Sequence, residues 1–277
     1  MIIGQDGQLG SSVHDVLTRQ GIMIIPAPLA EYDITDHTIV QKISLQSPDI
    51  VINCAAMTDV DGCAEDPDMA FRVNAFGAQN VAHACMRCNA DLVYISSNEV
   101  FDGQTDTPYT EQSDTNPINP YGSSKLSGEK MSARYQPKMY VVRTAWLYGL
   151  GGNNFPTKIM GAADKYGKLR VVADEIGNPT YALDLAEAIV TLMKTREYGT
   201  YHFVNEGHCS RYDFAAEILR LTGRGHIPLE PITLADYPRA STVPTFSPIV
   251  NTKGADLGIT LRPWQDALTE YLQNITN

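Results

Sequence analysis

Tyr121 and Lys125 stand four residues apart in the run Tyr-Gly-Ser-Ser-Lys. On a helix, positions four apart share a face, so a phenol and an ammonium can converge on one point. A phenol with a pKa of about 10 is a poor acid–base catalyst at neutral pH. An adjacent cation favours its phenolate and draws the pKa toward the working range. The pair can therefore move a proton to or from a substrate oxygen. Ser97 adds to it, because it ends the run Leu92-Val-Tyr-Ile-Ser-Ser97. A hydroxyl there can hydrogen-bond a substrate carbonyl beside the phenol; the plainer alternative is a strand-end serine capping the next turn. A third constellation, Gly4-Gln-Asp-Gly7-Gln-Leu-Gly10, precedes a helical stretch. Glycines allow a tight turn there, and a dinucleotide pyrophosphate can rest against the amides that open the next helix. A purely structural turn would use the same glycines.

Positioning these groups requires strands that end beside one another. Apolar runs at Gly21–Ile25, Ile50–Ile52, Leu92–Ile95 and Met139–Val142 alternate with helix-like stretches at Ser11–Gln20, Ala70–Cys88 and Ser123–Tyr135. Only Met1, Ile2 and Ile3 precede the glycine turn, so the first strand is very short. Alternation at this spacing means crossover units and a parallel sheet covered on both faces. The expected class is α/β, a Rossmann-type doubly wound parallel sheet with a smaller C-terminal substrate lobe. Ligands should lie outside the carboxyl ends of the strands. Residues 1–150 make the dinucleotide-binding part in this reading and residues 151–277 mainly the substrate lobe. Leu183–Thr195 and Thr200–Val204 read as a helix and a strand, so the chain rejoins the large sheet over about 181–205. Leu169–Val172 reads as a strand, and Tyr212–Leu221 and Pro263–Asn274 as helices. The stretch Ile227–Pro248, broken by five prolines, reads as an irregular functional loop.

Composition excludes several classes. A net charge of -11 argues against a nucleic-acid binder, which would carry a basic face. No apolar run approaches the roughly 20 residues of a membrane helix, and no cationic leader precedes the glycine turn, so a cytoplasmic protein is expected. The five cysteines are odd in number and irregular in spacing, which suits reduced thiols. Cys85-Met-Arg-Cys88 reads as two helix-end cysteines rather than a redox or metal pair, and no metal site is expected. Asp174-Glu175 reads as a solvated turn, since neighbours in a strand point to opposite faces. Trp264 reads as core packing, and Arg143 either reaches a phosphate or is buried beside the sheet. An acid about 20 residues beyond the glycines would hold a ribose 2′-hydroxyl. Glu31 and Asp33 come slightly later, with no arginine nearby, so the carrier is NADPH or NADH without a choice between them.

Gly7-Gln-Leu-Gly10, Asp33-Ile-Thr-Asp36, Asn53-Cys-Ala-Ala-Met-Thr58 with Val60-Asp61, and Val100-Phe-Asp-Gly103 follow one another along the chain. Tyr121-Gly-Ser-Ser-Lys125, Arg143-Thr-Ala-Trp-Leu-Tyr148, Asn153-Asn-Phe155, Gly177-Asn-Pro-Thr180 and Arg262-Pro-Trp264 complete the series. The ordered set resembles the extended short-chain dehydrogenases, and within them the dTDP-4-dehydrorhamnose reductases, over nearly the whole chain. The resemblance implies that Gly4, Gly7, Gln8, Leu9 and Gly10 meet the cofactor pyrophosphate, with Asp33 and Ile34 near its adenine side. It implies that Ala55, Ala56, Met57 and Thr58 line the cofactor's other flank, and that Ser97, Asn98, Glu99 and Trp146 contact the sugar. Tyr121 would donate the proton, with Lys125 tuning it and holding the nicotinamide ribose. The implied reaction is hydride transfer to the 4-keto carbon of dTDP-4-dehydro-L-rhamnose. The implied partner is a dTDP-sugar, not a nucleic acid or a membrane; a homodimer is one oligomeric state the sequence allows.

Two departures from the family pattern stand out. Ser96-Ser-Asn-Glu99 occupies the place of Ser-Thr-Asp-Tyr, and Val243-Pro244 precedes Phe246-Ser247 where the family often has Arg-Pro, although Arg239 is close by. Glu99 keeps open a rival of the same superfamily, a sugar-nucleotide dehydratase or epimerase, although Asn98 cannot donate a proton as a carboxylic acid does. A non-catalytic regulatory subunit, resembling that of methionine adenosyltransferase, is the alternative from another class.

Overall fold

The computed structural model describes residues 1–276. In chain order the first half runs β1 (Ile2–Ile3), α1 (Gln8–Arg19), α2 (Ile39–Gln46), β2 (Ile50–Asn53), α3 (Val60–Glu65), α4 (Pro67–Phe71), a π-helical turn (Arg72–Gly77), α5 (Ala78–Cys88), β3 (Asp91–Ser97), α6 (Pro120–Tyr135) and β4 (Met139–Thr144). The second half runs β5 (Leu147–Tyr148), α7 (Phe155–Tyr166), β6 (Leu169–Val172), β7 (Ile176–Gly177), β8 (Thr180–Tyr181), α8 (Ala182–Leu192), β9 (Gly199–His202), β10 (Cys209–Ser210), α9 (Arg211–Leu221), β11 (Leu229–Ile232), α10 (Lys253–Asp256) and α11 (Trp264–Thr276).

A five-stranded parallel sheet, ordered β1-β2-β3-β4-β9, forms the centre. Its strands read as near-continuous apolar runs because helices bury both faces. Val51, Leu92, Tyr94 and Val141 face a core shared with Val40, Ile43, Val81 and Cys85 from α2 and α5. Ile52, Val93, Tyr140 and Val142 face the other, built with Val13, Val16, Leu185 and Ile189 from α1 and α8. The third core belongs to the C-terminal elements and is aromatic, with Tyr148, Tyr181, Phe214, Trp264 and Tyr271 packed ring on ring. Trp264 is thus core, at 5% exposure.

Three expectations need correction. The run Gly21–Ile25 forms no strand. Ile24 and Ile25 do pack onto the cores on opposite sides, as extended backbone would place them. The neighbouring edge, however, is the two-residue β1, and Pro26 and Pro28 have no N–H to give, so no ladder forms. The single helix expected over Ala70–Cys88 is divided: α4 leads into the π turn and only then into α5. The stretch Ile227–Pro248 is not wholly irregular, since β11 pairs in parallel with β6. Among the described residues no helix is long and apolar enough to cross a membrane.

Candidate active site

β3 ends at Ser97, whose Oγ accepts a hydrogen bond from the Glu99 N–H at 3.2 Å and so starts a short 3₁₀ turn. The capping role and the site role fall to one hydroxyl, for Ser97 also lies within hydrogen-bonding reach of the Tyr121 phenol. Helix α6 brings that phenol there. Pro120 occupies its first turn, where a missing N–H costs nothing, and Asn119 caps it by accepting from Gly122 N–H at 2.8 Å. Gly122 has no side chain for a plain steric reason: a Cβ there would run into the Glu99 carbonyl. The start of α6 and the 3₁₀ turn are therefore pressed together, and Tyr121 and Ser97 with them. Asn119-Pro120 is a helix-start signature legible in the sequence.

One turn on, Lys125 is buried at 3% exposure. Its ammonium sits 4.6 Å from the centroid of the Tyr94 ring. Burial pulls its pKa down to about 8, with the Glu129 carboxylate opposing the fall. Burial also pushes Tyr121 above its ordinary value, helped by the Glu99 carboxylate, while the Ser97 hydrogen bond works the other way. Lys125 does not bring the phenol below its ordinary value, because desolvation is the larger effect.

Asn74, which the sequence reading passed over, fixes the wall beside this pair. Its Oδ1 accepts from Met57 N–H at 2.9 Å, and its Nδ2 donates to the Met57 carbonyl and to Ser124 Oγ, both at 3.0 Å. It projects from the π turn, and such turns are frequent at functional sites. The segment Ala55–Met57 is thereby tied to α6, with Thr58 exposed at its end. Asn98 serves the opposite wall: its Nδ2 donates to Ser247 Oγ at 2.8 Å and to the Ser247 carbonyl at 3.1 Å, anchoring the proline-rich segment. That amide is committed to protein, so only the rest of Asn98 is available to a ligand.

Trp146 has a left-handed backbone at φ 41 and packs against Gly177, where a Cβ would meet the indole. The guanidinium of Arg211 lies 3.6 Å from the Trp146 ring centroid and pairs with Glu175. This corrects the reading of Asp174-Glu175 as a solvated turn for Glu175 alone, which is buried at 6% exposure and neutralised by Arg211, whereas Asp174 is exposed in a bend and accepts from Leu234 N–H. A pairing made across 36 residues has no local signal.

Glu99 is buried at 8% exposure, with Asn119 Nδ2 donating to its Oε2 at 2.7 Å. Burial pushes its carboxyl up to about 7, the Glu175 carboxylate adding to the rise while Asn119, Arg211 and Arg239 oppose it. The folded value lies above the ordinary 4.5, so the contribution to stability is complete below pH 4.5 and is lost as pH rises through about 7. Glu99→Gln, which cannot titrate there, is expected to gain about 3 kcal/mol on the parent between pH 4.5 and about 8. Thermal melts of both proteins over that range check it; parallel curves would refute it.

The glycine turn suits a dinucleotide. Gly4 has φ +76, and a Cβ on Gly10 would collide with the Gly4 carbonyl, so the turn closes only with glycine at both places. Gly7 stands at the N-cap of α1 with no side-chain cap, leaving the first amides of a 12-residue helix open to an anion. Gln5 Oε1 and Gln8 Oε1 are buried there without partners among the described residues. Leu9 points into the core, so only its backbone faces the turn. Asp33 is exposed and accepts from Thr35 N–H and Oγ1 at 2.8 Å each. The Ile34 side chain is buried against Gly77, leaving its carbonyl to accept from Asn80 at 2.9 Å.

The model of the RmlD substrate binding domain family matches residues 1–277. Among curated relatives, the spore coat polysaccharide biosynthesis protein SpsK of Bacillus subtilis is 36% identical over 99% of this chain and 96% of its own length. The dTDP-4-dehydrorhamnose reductase of Mycobacterium tuberculosis is 37% identical over 98% and 91%. Among solved structures, a dTDP-4-dehydrorhamnose reductase from Clostridium acetobutylicum superposes with a TM-score of 0.96 at 39% identity, covering 100% of this chain and 99% of that one. One from Bacillus anthracis, in complex with NADP, gives 0.95 at 36% identity over 99% and 98%. Similarity that runs from end to end, in sequence and in fold alike, carries one conclusion: the chain belongs to the RmlD substrate-binding-domain family.

Proposed function

We propose that the protein reduces the 4-keto group of dTDP-4-dehydro-L-rhamnose to dTDP-L-rhamnose, using NADPH or NADH. The observation that carries this reading is the convergence of Ser97, Tyr121 and Lys125 at the carboxyl end of β3, beside an uncapped helix that opens on a glycine turn. When bound, the nicotinamide supplies the hydride. The protein supplies position and the proton. Gly4, Gly7, Gln8, Leu9 and Gly10 seat the pyrophosphate, Asp33 and Ile34 border the adenine side, and Ala55, Ala56, Met57 and Thr58 border the other flank. Ser97 orients the keto oxygen, Tyr121 protonates it, and Lys125 holds the ribose and the local charge. Asn98, Glu99 and Trp146 line the sugar end.

High burial of the phenol favours this role. A group whose pKa is raised is protonated at neutral pH, the state a donor needs. A dehydratase would need a carboxylic acid at position 98, and the amide of Asn98 is held by Ser247 instead. The names of the relatives point the same way. The test is oxidation of NADPH and of NADH, followed by absorbance, with dTDP-4-dehydrorhamnose generated in situ. Turnover with either carrier is the expected result. Intact cofactor binding with no turnover would overturn the assignment of substrate.

A further inference from the structure

A buried ammonium needs a counterpart, and Lys125 has no carboxylate to itself. Among the described residues no hydrogen bond or salt bridge reaches its Nζ. Glu129, one turn further along α6, accepts from Arg143 Nε, Arg143 Nη2 and Ser96 Oγ, so both of its oxygens are taken. Cys54, just past β2, and Cys63, on α3, also act on the ammonium. Burial keeps both thiols protonated, pushed up to about 12 and about 11. Tyr121, on the same helix, is raised by burial and is neutral as well. What lies against the cation is the ring of Tyr94, with 4.6 Å from Nζ to the centroid. A ring face carries negative partial charge and attracts a cation within about 6 Å, most strongly where water is excluded. Tyr94 stands in the middle of β3, opposite Asn53 of β2 and Val141 of β4, and is 1% exposed. Its hydroxyl shares one proton between the carbonyls of Asn74 and Lys125, each at 3.1 Å. Gly128 leaves room for this, since a Cβ there would run into both that hydroxyl and the Asn74 carbonyl. Alternate residues of a strand share a face, and Ser96, the next on this face, meets Glu129. One face of β3 thus meets successive turns of α6, with the ring at Lys125 and the serine at Glu129.

We propose that Tyr94 is a positioning residue for Lys125: the face of its ring holds the buried ammonium where a carboxylate would otherwise stand, and its hydroxyl ties α6 to the π turn. The catalytic meaning of this rests on the reductase reading above. A carboxylate in contact with Lys125 would take up its N–H donors and fix the charge permanently. A ring face favours the cation and accepts no strong hydrogen bond, so the donors of the ammonium remain for ribose and phenol. The ring is walled in on a central strand and cannot swing aside, which fixes the height of the ammonium beside Tyr121. The shared hydroxyl proton holds the Lys125 backbone to Asn74, the residue that also ties down Met57. Cofactor wall, lysine and strand are therefore registered to one another through a single side chain.

The test is an NMR titration of the Lys125 ammonium in the ligand-free full chain, with lysine isotopically labelled at Cε and the signal assigned by its loss in Lys125→Arg. Tyr94→Phe keeps the face and loses the hydroxyl, so it should titrate within about 0.3 pH unit of the parent while melting lower. Tyr94→Leu removes the face, and its midpoint should fall by about 1 pH unit, the size of a desolvated cation–π contact. A trifluorinated phenylalanine at position 94 weakens the face at nearly constant shape and should titrate between the two. That variant decides the matter if Tyr94→Leu does not fold. In the coupled assay the alkaline limb of kcat/KM should move to lower pH in the same order, a shift that loss of packing alone would not produce. Equal midpoints in the phenylalanine, trifluorinated and leucine variants would overturn the role of the ring, whatever the turnover. Midpoints shifted as expected in a protein whose wild type shows no turnover would overturn the reductase reading and leave Tyr94 as the holder of the cation.

Discussion

Tyr121→Phe is expected to lower kcat by about 10²-fold or more while leaving NADPH affinity and thermal stability close to the parent, because it removes one hydroxyl and the general-acid step with it. The ring stays, and the phenol ring is what packs: Tyr121 is 9% exposed and lies in a small cluster with Cys63 and Ala70. The lost hydrogen bond to Ser97 is a local one, and Ser97 keeps its bond from the Glu99 N–H. Stability should therefore move by about 1 kcal/mol at most. Single-turnover rates with bound cofactor read the chemical step directly. A variant that kept most of its kcat would end the assignment of Tyr121 as proton donor and move it to Ser97 or to water.

This expectation follows from a result that sequence reasoning had in the other direction. Spacing places phenol and ammonium on one face, and their proximity argues for a depressed phenol. Full burial decides otherwise, raising Tyr121 and lowering Lys125 together, since desolvation penalises the charged form of each. For a reduction the outcome is still productive. The proton to be donated is on the phenol before the carbonyl arrives, and Lys125 remains the base whose charge the site can tune.

What the sequence made legible was local. The β-branched runs became β2, β3 and β4 to within two residues at either end, and the helical runs became α1, α6, α8 and α9. Those patterns are set by period and burial, which each segment carries in itself. Gly21–Ile25 has the same pattern and fails as a strand because pairing depends on a neighbour that is two residues long. The residues proposed for catalysis were legible for a similar reason, since YxxxK and a strand-end serine are short-range patterns. Their supports were not. Asn98 meets Ser247 across 149 residues, and Asp61 meets Arg239 across 178. Nothing in the composition of either segment announces its partner. Asn74 is intermediate: a polar residue in an otherwise apolar helical stretch is visible, but that it turns inward depends on the π turn around it.

The buried pair Glu129–Arg143 carries the second large effect, and it joins stability to catalysis. Arg143 donates Nε to Oε1 at 2.9 Å and Nη2 to Oε2 at 2.7 Å, and Ser96 Oγ donates to Oε1 at 2.5 Å. Both charged side chains are under a tenth exposed, at 7% and 8%. Glu129→Gln leaves the guanidinium buried with a neutral partner and one donor too many. The expected cost is about 3–5 kcal/mol, a fall of roughly 5–9 °C in Tm for a chain of this size. Replacing both, as Glu129→Leu with Arg143→Met, removes the uncompensated charge and should cost less than Glu129→Gln alone. The same carboxylate holds up the pKa of Lys125, so its loss should send that ammonium below about 8 and shift the alkaline limb of the kcat/KM profile to lower pH. A purely structural pair would lower Tm without moving the profile. Glu129→Gln that melted within about 1 kcal/mol of the parent would show instead that neighbouring groups, not this carboxylate, neutralise Arg143.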